Sequence, residues 1–313
     1  MQENINHALS SINQIVLGKE PQVKMALCCL LAGGHLLLED LPGMGKTTLA
    51  QALAGVLGLS FKRIQFTSDL LPADILGGSV FDPSQGSFSF REGPVFCQLL
   101  MADEINRATP RTQSALLEAM EEGQVTLDGE SRPLPEPFFV VATQNPVNLA
   151  GTYPLPESQT DRFLMCLSLG YPEARAEREL LKAFAVRQHQ LQTGPSLSDA
   201  DLRTIRAAQS QMHVSDSLLD YVQRLIAFTR NPERFQTGLS PRGGIAIMRA
   251  ASCYALMHGR TYVSADDVQA VFPAVADHRL QAHADLQMTL SDNHSGALSA
   301  WILASVNVLS GSV

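Results

Sequence analysis

Leu38-Glu39-Asp40-Leu41-Pro42-Gly43-Met44-Gly45-Lys46-Thr47-Thr48 decides the fold, because the apolar run His35-Leu36-Leu37-Leu38 feeds it and a helical pattern leaves it. A strand that breaks at a Gly/Pro-rich turn and resumes as a helix points backbone N–H groups and the positive end of the helix dipole at any anion in the turn. Lys46 adds a point charge for the β and γ phosphates of a nucleotide, and the Thr47 hydroxyl is a suitable Mg2+ ligand. Gly43, Met44, Gly45, Lys46, Thr47 and Thr48 are therefore the expected nucleotide-binding residues. The loop departs from G-x-x-x-x-G-K-T at its first position, where Asp40 stands in place of glycine. Taken alone the motif implies a ligand, not an activity.

Outward from this loop the first half of the chain alternates apolar runs with helical periods. Strands are expected at His35 to Leu38, Lys62 to Phe66, Gln98 to Ala102 and Phe138 to Thr143, and helices at Thr47 to Leu57 and Pro110 to Glu122. Such alternation implies a parallel sheet covered by helices, with ligands at the C-terminal ends of the strands. Two acids stand at one such end: Asp103 fits a Mg2+ anchor acting through water, and Glu104 fits a base or orienting group for an attacking water. Asn145 ends the next apolar run, where it could hold that water or a γ-phosphate, or merely start a turn with Pro146. Arg162 precedes the apolar Leu164 to Leu169 strand, and Arg242 opens a helix further on. A cation that reaches a γ-phosphate stabilises phosphoryl transfer, although either arginine by itself reads more readily as a solvated side chain, and only the order of motifs favours the phosphate role.

Texture changes near Gly170. Charged helical sequence follows from Glu173 to Ala185, Gln190 to Pro195 reads as a loop, and Ser198, Ser215 and Ser264 each precede early acids in the manner of helix caps. The expected division is an α/β domain over residues 1–170 and an all-α domain over 171–313. Two hairpins project from the first: one in the insertion between Asp69 and Phe96, after a short helix, and one at Gln124 to Leu134, where Asp128-Gly129 favours a type I′ turn.

The bulk composition narrows the class of function. With 313 residues, 45% hydrophobic and 17% charged, the chain can bury a real core. Its formal net charge of −8 argues against a broad polyanion-binding surface, so no nucleic acid is expected as a partner. The five cysteines show no C-x-x-C and no paired His spacing, which leaves them as reduced, buried thiols. Met1 to His7 lacks a basic region followed by an apolar core, and the apolar region from Met25 to Leu38 is too short to span a bilayer. Cytoplasmic residence is the expectation.

In their order these motifs resemble the AAA+ ATPases: Asp40 to Thr47 matches Walker A, Leu99 to Glu104 Walker B, Asn145 sensor one, Arg162 the arginine finger and Arg242 sensor two. A finer resemblance, to the MoxR branch, is carried by Asp103-Glu104-Ile105-Asn106-Arg107-Ala108, Gln113 to Met120, Ala142-Thr143-Gln144-Asn145-Pro146 and Leu155-Pro156-Glu157-Ser158-Gln159. The hairpins then resemble that branch's helix-two and pre-sensor-one inserts. Val16-Leu17-Gly18 resembles the adenine-proximal box, and Arg107 is a further candidate for an intersubunit contact.

This resemblance implies an AAA+ nucleotide-binding domain followed by a helical lid, a homo-oligomeric ring, usually hexameric, and hydrolysis of ATP with Mg2+. It further implies chaperone-like remodelling of a protein client, often with a partner carrying a von Willebrand factor A domain. A magnesium-chelatase-like motor is a neighbouring alternative, and a non-hydrolysing nucleotide switch is another. A DNA translocase is disfavoured because Asp128 and Glu130 at the hairpin tip would repel a phosphate backbone.

Overall fold

The structure, a computed structural model, describes residues 1–84, 86–145, 151–186, 194–286 and 298–308. Pro146 and residues 190–193 of the expected loop lie outside the described residues. Two helices, α1 (Gln2–Ile15) and α2 (Glu20–Leu31), precede β1 (His35–Glu39), α3 (Lys46–Val56) and β2 (Phe61–Gln65). The insertion forms α4 (Pro72–Leu76) and the hairpin β3 (Gly77–Asp82) with β4 (Ser87–Glu92). Then come β5 (Leu99–Asp103), α5 (Pro110–Glu122), the hairpin β6 (Gln124–Leu127) with β7 (Glu130–Pro133), β8 (Phe139–Gln144), α6 (Glu157–Thr160) and β9 (Phe163–Leu167).

The central sheet has the order β2-β5-β8-β1-β9, and every pairing in it is parallel. All strand C-termini therefore share one edge and all starts share the other. Successive side chains point to opposite faces, so each strand feeds two cores. Leu36, Leu38, Leu99, Met101, Val141 and Met165 pack with α1 to α3, whereas Leu37, Leu100, Ala102, Val140 and Phe163 pack with Leu116, Leu117 and Met120 of α5. Burial on both faces explains why these strands read as continuous apolar runs.

Asp128 and Gly129 have φ of 54° and 81°, both left-handed, as a type I′ turn requires. The two hairpins are tied together: Ser79 Oγ donates to Asp128 Oδ2 at 2.6 Å, and the Arg132 guanidinium lies 4.0 Å from the Phe90 ring centroid. The acid at this tip is thus engaged by the neighbouring hairpin.

After β9 the chain forms α7 (Ala174–Val186), α8 (Asp199–Ser210), α9 (Asp216–Thr229), β10 (Phe235–Thr237), α10 (Pro241–Met257), α11 (Ala265–Ala276), β11 (Gln281–Ala282) and α12 (Leu298–Ser305). Ser198, Ser215 and Ser264 do precede helices. At Ser198 and Ser264 the caps are reciprocal boxes, in which Asp201 and Asp267 accept the cap residue's own N–H at 2.9 Å. Among its described residues the lid is helical apart from an isolated bridge between His213 and Tyr262 and from β10 and β11, an antiparallel pair of three and two residues that is too short to show an alternating pattern in sequence. Among the described residues, no helix is long and apolar enough to cross a membrane.

One face of the sheet and the lid share a continuous core, in which Leu27, Cys28 and Leu31 of α2 meet Ile247 and Ala250 of α10 and Ile205 of α8. The start of β9 is bolted to the lid by polar contacts as well. Arg279 Nε donates to Asp161 Oδ1 at 2.6 Å, and its other nitrogens reach the carbonyls of Phe163 at 2.6 Å and Leu164 at 3.3 Å. Ser240, the N-cap of α10, donates to Asp161 Oδ2 at 3.1 Å.

Removing one member of a buried ion pair strands the other, at a typical cost of about 3–5 kcal/mol. The Arg279 side chain is only 4% exposed. Arg279→Ala should therefore lower the free energy of unfolding in urea on that scale, and a change under 1 kcal/mol would remove the pair from the lid's attachment.

Candidate active site

At the C-terminal edge of the sheet, Pro42, Gly43, Gly45, Lys46, Thr47 and Thr48 form one wall of a cavity of about 350 Å³. Arg63, Asp103, Glu104 and Asn145 form the other. Gly43 and Gly45 have φ of 87° and 88°, and a Cβ at either would project into open space rather than into protein. The loop is thus a hollow of backbone N–H groups at the start of α3, which suits phosphate. Lys46 is buried and its ammonium donates to the Asp40 carbonyl at 2.6 Å. Burial draws its pKa below the usual lysine range, against the opposing pull of Asp40, Asp103 and Glu104. Met44 differs from the other loop residues, because its side chain packs on the apolar core.

Asp40 has a structural task that accounts for the missing glycine. Its Oδ2 accepts from the backbone N–H of Leu169 at 2.6 Å and of Gly170 at 2.7 Å, and from Ser168 Oγ at 3.2 Å. The carboxylate thus ties the entry of the phosphate loop to the exit of β9, and points away from the phosphate cradle.

Glu104 leaves β5 in a left-handed conformation, φ 55° and ψ 49°. A non-glycine residue pays on the order of 1–3 kcal/mol for such a state, which persists where surrounding contacts impose it. Thr143 Oγ1 accepts the Glu104 N–H at 2.8 Å and donates to Asp103 Oδ1 at 2.6 Å. The carboxylate of Glu104 then receives Asn145 Nδ2 at 3.0 Å, Gln65 Nε2 at 2.8 Å and Arg107 Nε at 2.9 Å. Arg63 pairs with the other oxygen of Asp103.

This donor set fits a divalent cation held with a nucleotide. Thr47 offers a hard oxygen ligand and Asp103, whose oxygens accept from Thr143 and Arg63, an anchor through water, and among the described residues no group of three His, Cys, Asp or Glu side chains converges on a metal site. Mg2+ would take its remaining ligands from phosphate and water, as it does where it binds with substrate.

Arg162 and Arg242 lie elsewhere. Arg162 immediately precedes β9, whose first residue pairs with His35 at the start of β1, so it sits at the sheet edge opposite the phosphate loop. The length of β1, roughly 13 Å at 3.3 Å per residue, separates the two edges. Arg162 and Arg242 line a cavity of about 280 Å³ with Gly33, Gly34, His35 and Glu121. Both pair with Glu121, at 2.7 Å and 2.5 Å.

Val16 is buried in the core, and Gly18 has φ 68° with Ala176 so close that a Cβ would fall 2.4 Å from its Cβ. The next residue, Lys19, donates to the Tyr171 carbonyl at 2.6 Å, which places this segment beside the connection from β9 to the lid. Arg107, a candidate for a contact with a neighbour, is engaged within its own chain by Glu104.

Comparison with known proteins agrees with this architecture. Residues 35–165 match the ATPase family associated with various cellular activities (AAA), and residues 227–294 match the AAA lid domain. The chain is 46% identical over 280 residues to the YeaC protein of Bacillus subtilis, covering 89% of this chain and 87% of that one. It is 41% identical over 285 residues to Chaperone MoxR1 of Mycobacterium tuberculosis, covering 88% and 75% respectively. A crystal structure of a candidate ATPase from Cytophaga hutchinsonii superposes with a TM-score of 0.87 at 34% identity, over 98% of this chain and 95% of that one.

Separate tasks for Lys46 and Glu104 can be read from variants. Lys46→Ala should weaken ATP binding by at least about tenfold, whereas Glu104→Gln should bind normally and hydrolyse at least about a hundredfold more slowly. Equal ATP affinity in Lys46→Ala and the unaltered protein, measured by titration with a fluorescent nucleotide, would contradict the phosphate role of the loop.

Proposed function

Because the chain belongs to the MoxR family of AAA+ ATPases, we propose that it hydrolyses Mg-ATP at sites completed between neighbouring copies in a ring, and that the resulting motion remodels a protein client. One observation carries the intersubunit part: Arg162 and Arg242 stand together on the sheet edge opposite Lys46, Asp103 and Glu104. An arginine there cannot reach its own phosphate loop, which supports a role at the loop of a neighbouring copy.

The residues divide the work accordingly. The Gly43 to Lys46 backbone and the Lys46 ammonium hold the β and γ phosphates, while Thr47 would hold the cation directly and Asp103 through water, and the cation's charge would offset that of the phosphates. Glu104 accepts a proton from the attacking water, and Asn145 orients that carboxylate through its 3.0 Å hydrogen bond. Arg162 and Arg242 of the adjoining copy add positive charge where negative charge develops. Val16 and Gly18 border the adenine side.

The name of MoxR1 supports chaperone-like work. So does the hairpin of β3 and β4, which exposes Val80, Phe81 and Phe88 to a client. A hexameric ring and a von Willebrand factor A domain partner, both carried by the family resemblance, complete the reading, with cytoplasmic residence expected from the absence of a signal-peptide pattern in Met1 to His7.

A mixing experiment tests the shared site. Arg162→Ala and Glu104→Gln should each bind ATP and hydrolyse poorly when alone. Mixed in one ring, they form some interfaces with an intact Glu104 from one copy and an intact Arg162 from the next, so part of the activity should return. If subunits demonstrably exchange and the mixture stays as inactive as its components, Arg162 does not act across an interface.

A further inference from the structure

Two acids line the arginine cavity and neither takes part in the hydrolytic steps: Asp161 binds Arg279, and the other faces Arg162 and Arg242. Glu121, in the last turn of α5, gives one carboxylate oxygen to each arginine: Oε2 to Arg162 Nη2 at 2.7 Å and Oε1 to Arg242 Nη2 at 2.5 Å. We propose that Glu121 is a positioning residue, holding Arg162 and Arg242 side by side as a two-armed clamp for the nucleotide phosphates of the neighbouring copy. This role presupposes that both arginines act across a subunit boundary.

Two guanidinium groups at such proximity repel, and Arg249 adds further positive charge to the same cavity, where Arg279 is already paired with Asp161. A single carboxylate between the two offsets that repulsion and fixes the orientation of each planar fork. It also leaves both guanidinium side chains partly exposed, Arg162 at 27% and Arg242 at 50%. The acid itself stands on a firm base. Its neighbour Met120 accepts a hydrogen bond through its carbonyl from His35 Nε2 at 3.3 Å, while His35 Nδ1 accepts the Val140 N–H at 3.0 Å. Burial lowers the His35 pKa to about 4, so the ring stays neutral and keeps both bonds. Beyond Glu121 the helix closes at Gly123, φ 62°, whose N–H reaches the Ala119 carbonyl. The hydrogen bond from Arg242 and the charge of Arg162 hold the Glu121 carboxyl below the usual range, which keeps it ionised.

Exposed ion pairs add little to stability, and the Glu121 side chain is 34% exposed. Its loss should therefore leave the fold intact and act on the rate. Glu121→Gln preserves shape but offers only one accepting oxygen, so one arginine is released. We expect kcat to fall about tenfold, the scale of rotamer freedom returned to one long side chain, with ATP affinity unchanged. Glu122→Gln, one residue on, should keep normal turnover. Mixed with Glu104→Gln, the Glu121→Gln protein should regain activity, because interfaces then arise that pair its intact phosphate site with arginines still held by Glu121. An unchanged or raised kcat in Glu121→Gln, beside an inactive Arg162→Ala, would overturn the clamp. So would a loss that the mixture fails to restore while the Arg162→Ala mixture recovers. Should the Arg162→Ala mixture itself fail, the intersubunit reading falls, and the clamp with it.

Discussion

Asp161 and Arg279 make the contact on which the remaining geometry depends. The carboxylate sits at the start of the edge strand β9 and takes Arg279 Nε on one oxygen and Ser240 Oγ on the other. Arg279 spends its remaining donors on backbone carbonyls of the same strand start. Since Ser240 caps α10, this cluster sets where that helix begins, and Arg242 in its first turn is delivered beside Arg162. Attachment of the lid and pairing of the arginines are thus one geometric fact.

A parallel sheet then assigns the charged residues to two edges. Turns at the strand C-termini gather the phosphate loop, Asp103, Glu104 and Asn145, while the strand starts and the end of α5 gather the arginines and Glu121. The C-terminal edge carries local strain at Glu104, imposed by Thr143, which bonds both its backbone and the Asp103 carboxylate. Asp40 connects this edge to the lid, since its carboxylate binds the backbone that leaves β9.

Local chemistry decided what could be read from sequence. The loop at Gly43 to Thr48 and the acids at Asp103 and Glu104 are legible because a turn, a helix start and a strand end impose residue types over a few positions. The fully buried strands were legible as apolar runs, with edges that differ from the structure by one or two residues. Arg63 and Gln65 were missed, although their period of two puts them on one face of β2. Nothing in that segment says that β5, with its acids, is the adjacent strand, a matter of sheet order. Glu121 was missed for a similar reason, as an acid ending an amphipathic helix looks solvated until two distant arginines are brought to it. Arg162 and Arg242 were singled out by motif order, but their joint place at the far edge comes from the Asp161 cluster, whose members are 79 and 118 positions apart. The pair β10 and β11 left no trace because five residues carry too little pattern.

If each site is completed by arginines from the adjoining copy, turnover must depend on assembly whereas nucleotide binding need not. The most direct measurement is the ATPase rate per subunit over a range of protein concentrations, with the oligomeric state followed by sedimentation velocity in the same buffer and ATP affinity measured at each end. The rate per subunit should collapse as the ring dissociates, with ATP affinity held nearly constant. A constant rate per subunit, down to concentrations at which only monomer sediments, would contradict an intersubunit site.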